Sequence, residues 1–289
     1  MDPKNRLIPF RFIYFLFLLR GAPVDDTTAV VSAGHPFRHV LTTRFKIRVV
    51  RALLGKATDG RLLDLGCGAG YVLWRIGGGF EKCFGVDVDK RAVVLGTQHV
   101  NAGFSVADAE RLPYSDSSFR SVVSTDAFEH IPDDRLAIRE IRRVLEPGGI
   151  CVIYTPSVEG LLSETTLAHM FHDKDDFMLD HRTYTLDSLV RLAEDAGMVV
   201  EQKGYHNVFT QEVCTQLLKG LATLAGKDYR HQGDIENITE SWVFRIYRWT
   251  AFPVISFLVR VEEIILSSLF GSSIKGHRVF IKCRRPETP

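Results

Sequence analysis

Short apolar runs alternate with helical patterns along the chain from about residue 61 onward. Such alternation is typical of a parallel β-sheet with helices on both faces. The predicted strands are Arg61–Leu65, Cys83–Val88, Phe104–Ala107, Ser121–Thr125, Ile150–Tyr154, one that begins at Met198–Glu201, and His277–Cys283. The predicted helices between them are Ala69–Ile76, Lys90–Val100, Asp133–Leu145 and Thr185–Ala196. The hydrophobic pattern therefore predicts an α/β fold.

The same pattern divides the chain into four regions. Residues 58–208 contain the alternating core, and residues 1–57 contain a hydrophobic segment and helices that we expect to cover the sheet. Residues 209–270 form a predicted helical insertion before the last strand, and residues 271–289 hold that strand and a basic tail. One enzyme domain with elaborations explains this arrangement better than two full domains.

An apolar segment lies near the start of the chain, at residues 7–20, where Arg11 interrupts it. It is too short for a membrane span, which needs about 20 apolar residues. Its aromatic and basic residues favour an interfacial helix, with a packing arm and a cleaved signal peptide as alternatives.

Composition excludes several classes of protein. The chain has 289 residues, 45% of them hydrophobic and 25% charged, with a formal net charge of +1. This balance gives no basic field that would recruit nucleic acid. The cysteines are odd in number and form no CxxC pair: Cys67, Cys83, Cys151, Cys214 and Cys283. We therefore expect no disulfide framework, no metal and a reducing cytoplasm.

A glycine-rich turn, Gly66–Gly70, follows the first predicted strand and precedes a helix. Such a turn lets a ligand approach the backbone closely. A dinucleotide fold would prefer glycine where this chain has Tyr71, and the carboxylate of Asp64 would repel a pyrophosphate. S-adenosylmethionine carries an ammonium and a sulfonium but no phosphate, so the residues favour it over a nicotinamide cofactor.

The segment Leu62–Gly70 resembles the first motif of class I methyltransferases, and further motifs follow in that family's order. They are Gly85–Asp89, Ala107–Pro113, the exit of the fourth strand at Asp126–Asp133, and Leu145–Gly149. The resemblance is to the small-molecule, type 11-like methyltransferases. It implies a Rossmann-like sheet of seven strands in the order 3-2-1-4-5-7-6, with the last strand antiparallel, and S-adenosylmethionine as cofactor.

Cofactor contacts follow from the spacing and from this resemblance. Asp87 ends a strand roughly twenty residues after the glycines, where a carboxylate can accept both ribose hydroxyls. The resemblance implies that Asp108 accepts from the adenine amino group, that the amide of Ala109 meets the ring, and that Val88 and Leu112 enclose the base. The full predicted cofactor set is Asp64, Gly66, Cys67, Gly68, Gly70, Asp87, Val88, Asp108, Ala109, Leu112, Thr125 and Asp126.

Candidate catalytic residues follow the fourth strand, because ligands bind at the carboxyl ends of strands in open α/β sheets. His130 is the first candidate for a base or for orienting the acceptor, and Glu129 is the second. An ordinary helix-start role for His130 remains an alternative. His181 and Tyr184 are expected to border the acceptor pocket. His169 and His172 suit a metal by spacing, but a solvated polar loop explains them better.

The acceptor is the least constrained prediction. In the resembled family an insertion before the last strand emerges beside the active site, and residues 242–270 of this insertion interleave aromatic residues with arginines. With residues 7–20, they suggest peripheral contact with the inner face of a membrane and a lipid-linked acceptor; core-facing lid helices are the alternative. We expect a cytoplasmic enzyme that methylates a small or lipid-linked molecule, at oxygen rather than carbon or nitrogen. A non-catalytic cofactor-binding or scaffold protein is the rival.

Overall fold

A computed structural model describes residues 41–55, 59–159, 182–206 and 275–287, with the separate positions 254, 257, 258 and 261. The helices are α1 Leu41–Leu54, α2 Tyr71–Ile76, α3 Lys90–His99, α4 Asp134–Val144 and α5 Leu186–Asp195. The strands are β1 Arg61–Leu65, β2 Lys82–Asp87, β3 Gly103–Val106, β4 Phe119–Thr125, β5 Leu145–Pro156, β6 Val199–His206 and β7 Arg278–Arg284. Short 3₁₀ turns lie at Gly77–Gly79 and Phe128–His130.

The strands form one seven-stranded sheet in the order β3-β2-β1-β4-β5-β7-β6. Neighbours among β1 to β5 pair in parallel, and β7 pairs antiparallel with both β5 and β6. The predicted fold class and strand order are confirmed. In this order β4 leaves the sheet next to β1, so the β4 exit loop lies beside the glycine turn that follows β1.

Alternate residues of each central strand enter the two layers of the core, as expected for strands buried on both faces. In β1, Leu62 packs with α1 and α2, whereas Leu63 and Leu65 pack with α4 and α5. Asp64 has the same parity as Leu62 and is fully buried on the α1 side. A carboxylate thus occupies a core position directly below the glycine turn.

Two element boundaries differ from the sequence-based predictions for local steric reasons. The helix after the glycine turn begins at Tyr71 rather than Ala69, because Gly70 adopts a left-handed conformation with φ 81°. Strand β5 begins at Leu145, before the predicted start at Ile150. Its pairing jumps from Phe119–Leu145 to Ser121–Ile150, so residues 146–149 form an irregularity within the ladder.

Helix α5 begins at a capping box, as its sequence suggests. The Thr185 hydroxyl accepts from the Ser188 amide, and the Ser188 hydroxyl accepts from the Thr185 amide. These bonds satisfy amides that lack partners within the helix. The helix predicted at Thr185–Ala196 is therefore present, with Thr185 as its N-cap and Ala196 as its C-cap.

Several predictions concern residues outside the described ranges, namely the apolar segment 7–20, most of the insertion 209–270, His169, His172 and His181. In the ranges that the structure does describe, no helix has both the length and the apolar character to cross a membrane. The same ranges contain no cluster of three His, Cys, Asp or Glu side chains suited to a metal ion.

Candidate cofactor and acceptor site

The glycine turn is folded over the end of β2. The amides of Gly66 and Cys67 both donate to the carbonyl of Val86, at 2.8 and 3.0 Å. Gly66 adopts φ 71° and leaves no room for a side chain, because a Cβ there would lie 2.2 Å from the Cβ of Ala127 in the β4 exit loop. The turn and the β4 exit are therefore in direct contact, which requires glycine at this position.

The chemistry of the buried Asp64 carboxyl can be compared with that of the proposed cofactor. Asp64 is 0% exposed, and among the residues described neither of its oxygens has a hydrogen-bond partner. Burial raises its pKa to about 7, with the Lys46 charge opposing and the Asp87 charge adding to the effect. A buried carboxyl without a partner is costly, so this group suits a ligand that brings a donor or a positive charge. The ammonium of S-adenosylmethionine has that chemistry.

Asp87 lies at the end of β2 and orders the turn from the other side. Its Oδ2 accepts from the Gly68 amide at 2.7 Å, and its Oδ1 accepts from the Asp89 amide at 2.9 Å. The next residue, Val88, is 70% exposed. A carboxylate flanked by an open apolar side chain is the arrangement predicted for a ribose and the adjoining base.

The predicted adenine-binding loop follows β3. The Asp108 carboxylate accepts from the Glu110 amide at 2.9 Å, which folds the loop into a local turn. Leu112 is buried in the core, and Ala109 packs against the same core cluster. The amide of Ala107 donates to the Asp87 carbonyl at 3.0 Å, so this loop is joined to the end of β2.

The exit of β4 carries an ion-pair network that joins distant parts of the chain. Thr125 is buried at the strand end, and Asp126 follows with φ 50°, in the left-handed region. The Asp126 carboxylate pairs with Lys46 of α1 at 2.6 Å and with Arg278 of β7 at 3.0 Å. Burial alone would raise the Asp126 pKa, but these charges outweigh it and hold the pKa below its ordinary value.

Glu129 and His130, adjacent in sequence, occupy different environments. Glu129 is 4% exposed, and its Oε2 accepts from the Thr155 hydroxyl of β5 at 2.8 Å. Burial, followed by the charge of Asp126, raises the Glu129 pKa to about 7. His130, which the sequence analysis placed first, is exposed at the end of the 3₁₀ turn. A buried carboxyl that titrates near neutrality is suited to accepting a proton.

Other predicted site residues have structural partners. Tyr184 is buried, and its hydroxyl donates to the Asp134 carboxylate at 2.9 Å beneath the start of α4. Cys67 is buried in the glycine turn, where burial and the charges of Asp64 and Asp87 raise its thiol pKa far above the ordinary value. The thiol is therefore protonated and unreactive at neutral pH, in keeping with a small packing residue.

Three residues at this site were missed by the sequence analysis. Thr155 lies at a strand end, and that position is a usable signal, but the predicted strand stopped one residue earlier. Lys46 and Arg278 had no such signal, because an isolated cation on a helix or at a strand start carries no motif. Only the fold brings them to Asp126.

Comparisons with known proteins agree with this geometry. Residues 63–153 match the family of methyltransferase domains. The 27-O-demethylrifamycin SV methyltransferase of Amycolatopsis mediterranei is 34% identical over 143 residues, which cover 43% of this chain and 46% of that protein. The chain spans 38%, 42% and 46% of the lengths of three curated relatives it matches.

Solved structures share the fold at lower identity. Phosphoethanolamine N-methyltransferase 2 of Haemonchus contortus, in complex with S-adenosylmethionine, aligns with a TM-score of 0.53 at 17% identity, over 84% of this chain and 52% of that one. The [4+2]-cyclase SpnF aligns with a TM-score of 0.54 at 18% identity, over 96% of each chain. The fold is that of class I methyltransferases. The match to methyltransferase domains covers residues 63–153, from β1 into β5.

Proposed function

We propose that this protein transfers the methyl group of S-adenosylmethionine to an oxygen atom of a small or lipid-linked acceptor. The observation that carries the proposal is the buried carboxyl of Glu129, on the loop that also contacts the glycine turn. A cofactor-binding turn and a proton acceptor at adjoining strand ends are what such a transfer requires.

Methyl transfer from a sulfonium depends more on the alignment of the reacting atoms than on activation of a bond. The methyl carbon of a sulfonium is already electrophilic and its leaving group is neutral, so the protein mainly orients the nucleophile and excludes water. A hydroxyl acceptor also loses a proton. We assign that proton to Glu129, because its pKa of about 7 leaves a substantial carboxylate fraction at neutral pH. We propose that His130, which is exposed on the outer side of the loop, orients the acceptor.

A lipid-linked acceptor is supported by an apolar helix face in the insertion. Val254, Phe257 and Leu258 are helical and exposed at 57%, 66% and 46%. With helical Val261 they follow the i, i+3, i+4, i+7 spacing that puts side chains on one face. Exposed aromatic and aliphatic side chains on one helix face suit the interfacial zone of a bilayer. The proposal therefore includes a cytoplasmic enzyme at the inner face of a membrane.

The acceptor class is tested by supplying the purified protein and labelled S-adenosylmethionine with separated lipid and polar extracts. Label in the lipid fraction supports the lipid-linked acceptor, and label in the polar fraction supports a free small molecule. Cofactor binding without label transfer to either fraction would contradict the methyltransferase proposal. That outcome would favour a second candidate function, a cofactor-binding protein that does not transfer methyl groups. The observation behind this candidate is that a [4+2]-cyclase shares the fold.

Membrane contact is tested separately by co-sedimentation with anionic liposomes. We expect Phe257→Glu to reduce the bound fraction, because a carboxylate would have to enter the interface. Val199→Glu is the matched control, since Val199 is also exposed, at 54%, but lies on the edge strand β6. Equal sedimentation of the two variants would contradict a role for the insertion in membrane binding.

A further inference from the structure

Two charged residues of α4 hold the main chain of the predicted adenine-binding loop. The Glu140 carboxylate accepts from the Leu112 amide at 2.8 Å, and the Arg143 guanidinium donates to the Leu112 carbonyl at 3.2 Å. Both main-chain polar groups of Leu112 therefore bond to side chains of one helix. Among the described residues, no strand pairs with the loop at Leu112.

The same arginine extends its contacts along the loop. One guanidinium nitrogen of Arg143 donates to the Tyr114 carbonyl and to the Asp116 carboxylate, each at 2.8 Å. Arg143 also forms a two-point pair with Glu140, at 2.7 and 2.8 Å. Such fork geometry fixes both side chains more firmly than a single bond would. The loop residues Leu112, Tyr114 and Asp116 are thus tied to one rigid pair.

A further bond joins a side chain of the loop to the main chain of α4. The Glu110 carboxylate, in the loop, accepts from the amide of Asp133, the N-cap residue of α4. The loop is consequently attached to α4 at its start and at its last turns. Asp108, which with Ala109 we propose contacts the base, makes bonds within the loop: its carboxylate accepts from the Glu110 amide and its carbonyl from the Arg111 amide.

We infer that Glu140 and Arg143 are positioning residues for adenine recognition, holding the loop so that Asp108 and Ala109 meet the base. This inference rests on the proposed cofactor role of the loop. Neither residue needs to touch the cofactor, because both act through the main chain of Leu112 and Tyr114. Loss of the pair would leave the Leu112 amide without its acceptor, so the loop would sample other conformations.

The test compares two ligands that differ only at the base, S-adenosylhomocysteine and S-inosylhomocysteine, in which an oxygen replaces the adenine amino group. Binding of each to the full-length protein is measured by calorimetry. We expect Glu140→Ala to weaken S-adenosylhomocysteine binding about tenfold, in line with the loss of one or two charge-assisted hydrogen bonds. The preference for the adenine ligand over the hypoxanthine ligand should fall towards one.

Matched variants separate positioning from general stability. Arg139→Ala removes an exposed arginine of α4 whose side chain donates within its own helix, and we expect it to keep the wild-type preference. Glu140→Gln keeps an acceptor for Leu112 but weakens the pair, so its preference should be intermediate. If Glu140→Ala does not fold, Arg143→Lys replaces it, because lysine cannot form the fork.

An unchanged base preference in folded Glu140→Ala and Arg143→Lys would overturn the inference while leaving the proposed function intact. Failure of the wild-type protein to bind S-adenosylhomocysteine would instead contradict the proposed function itself. Hydrogen exchange of residues 108–116 adds a second readout. We expect faster exchange of the Leu112 amide in Glu140→Ala and no change in Arg139→Ala.

Discussion

The cofactor half and the acceptor half of the site are built in different ways. On the cofactor side, the Asp87 carboxylate binds the Gly68 amide 19 residues away and the Asp89 amide two residues away, and Asp108 binds the nearby Glu110 amide. These are backbone turns at the ends of consecutive strands. The Asp89 and Glu110 bonds are local, whereas the Gly68 bond joins the ends of β1 and β2.

On the acceptor side, side chains from distant segments meet. Lys46 is 80 residues from Asp126, and the other cation on that carboxylate is on the last strand. The Glu129 carboxyl is held by Thr155 from the neighbouring strand. The contrast indicates that carboxylates accepting from main-chain amides order the ends of β1, β2 and β3, whereas ion pairs between distant segments hold the β4 exit.

The largest expected effect is on the acceptor side, in Glu129→Gln. Loss of a general base should lower turnover by about 100- to 10,000-fold, with little change in cofactor affinity. Wild-type turnover should rise with pH through about 7, because Glu129 must lose its proton to act as a base. The Gln variant should lack that rise. Steady-state rates between pH 5.5 and 8.5 provide the measurement.

His130→Ala is the control for this prediction. If His130 only orients the acceptor, its loss should raise KM and leave the pH profile in place. A Glu129→Gln variant with near-normal turnover, combined with an inactive His130→Ala variant, would transfer the base to His130. Such a result would also mean that the buried Glu129 carboxyl and its bond to Thr155 take no direct part in the proton transfer.

On the cofactor side, Asp87→Ala should weaken cofactor binding by about 30- to 150-fold, or about 2 to 3 kcal/mol, because we propose that this carboxylate accepts the two ribose hydroxyls. Calorimetry with S-adenosylhomocysteine measures this change. Asp89→Asn keeps the cap of α3 and should bind within about twofold of wild type. Equal affinities of the two variants would sink the assignment of the ribose to Asp87.

This contrast explains which parts of the site could be predicted. The strand order and the turn at Gly66–Gly70 follow motifs whose residues are close in sequence, so the resemblance predicted them. Asp64 and Asp87 were found because a strand end and a glycine turn fix where a carboxylate must stand. At Gly70, which has φ 81°, an added Cβ would lie 2.7 Å from the Phe104 ring, and the local sequence pattern does not predict this contact with β3.

The acceptor half was predicted less well, for a physical reason. A strand-exit position identifies Glu129 and His130 as candidates, and we favour Glu129 because it is buried, which is a property of the whole fold. Asp126 was predicted to be near the cofactor, and its two cations come from α1 and β7. No local pattern distinguishes Lys46 from an ordinary solvated lysine of an amphipathic helix.

A smaller effect is expected from breaking that ion-pair network. Lys46→Met should lower the free energy of unfolding by about 1 to 2 kcal/mol, less than the loss of an isolated buried pair, because Arg278 still faces Asp126. The double variant with Arg278→Met should deviate from additivity, since both cations share one carboxylate. Urea unfolding measures all three, with the exposed Lys203→Met as control. Strict additivity would contradict a shared network.

The smallest effect on stability is expected at Glu159, whose side chain contacts three other segments of the chain. Its carboxylate accepts from Lys275 at 2.7 Å, Tyr205 at 2.6 Å and the Leu186 amide at 2.9 Å. Burial works against ionisation of Glu159, but these bonds and the Lys275 charge outweigh it and lower the pKa to about 2. Glu159→Gln should therefore reduce the free energy of unfolding by about 1 kcal/mol at pH 7.

The pH dependence of this loss gives the decisive readout. A carboxyl with a depressed folded pKa contributes stability above its unfolded pKa, and that contribution disappears as pH falls through the folded value. The difference between wild type and Glu159→Gln should therefore be constant above about pH 5 and shrink as pH falls towards 2, when followed by urea unfolding. A difference that stays constant to pH 2 would mean that Glu159 acts through packing alone. The acceptor half would then depend less on long-range charge than its contacts indicate.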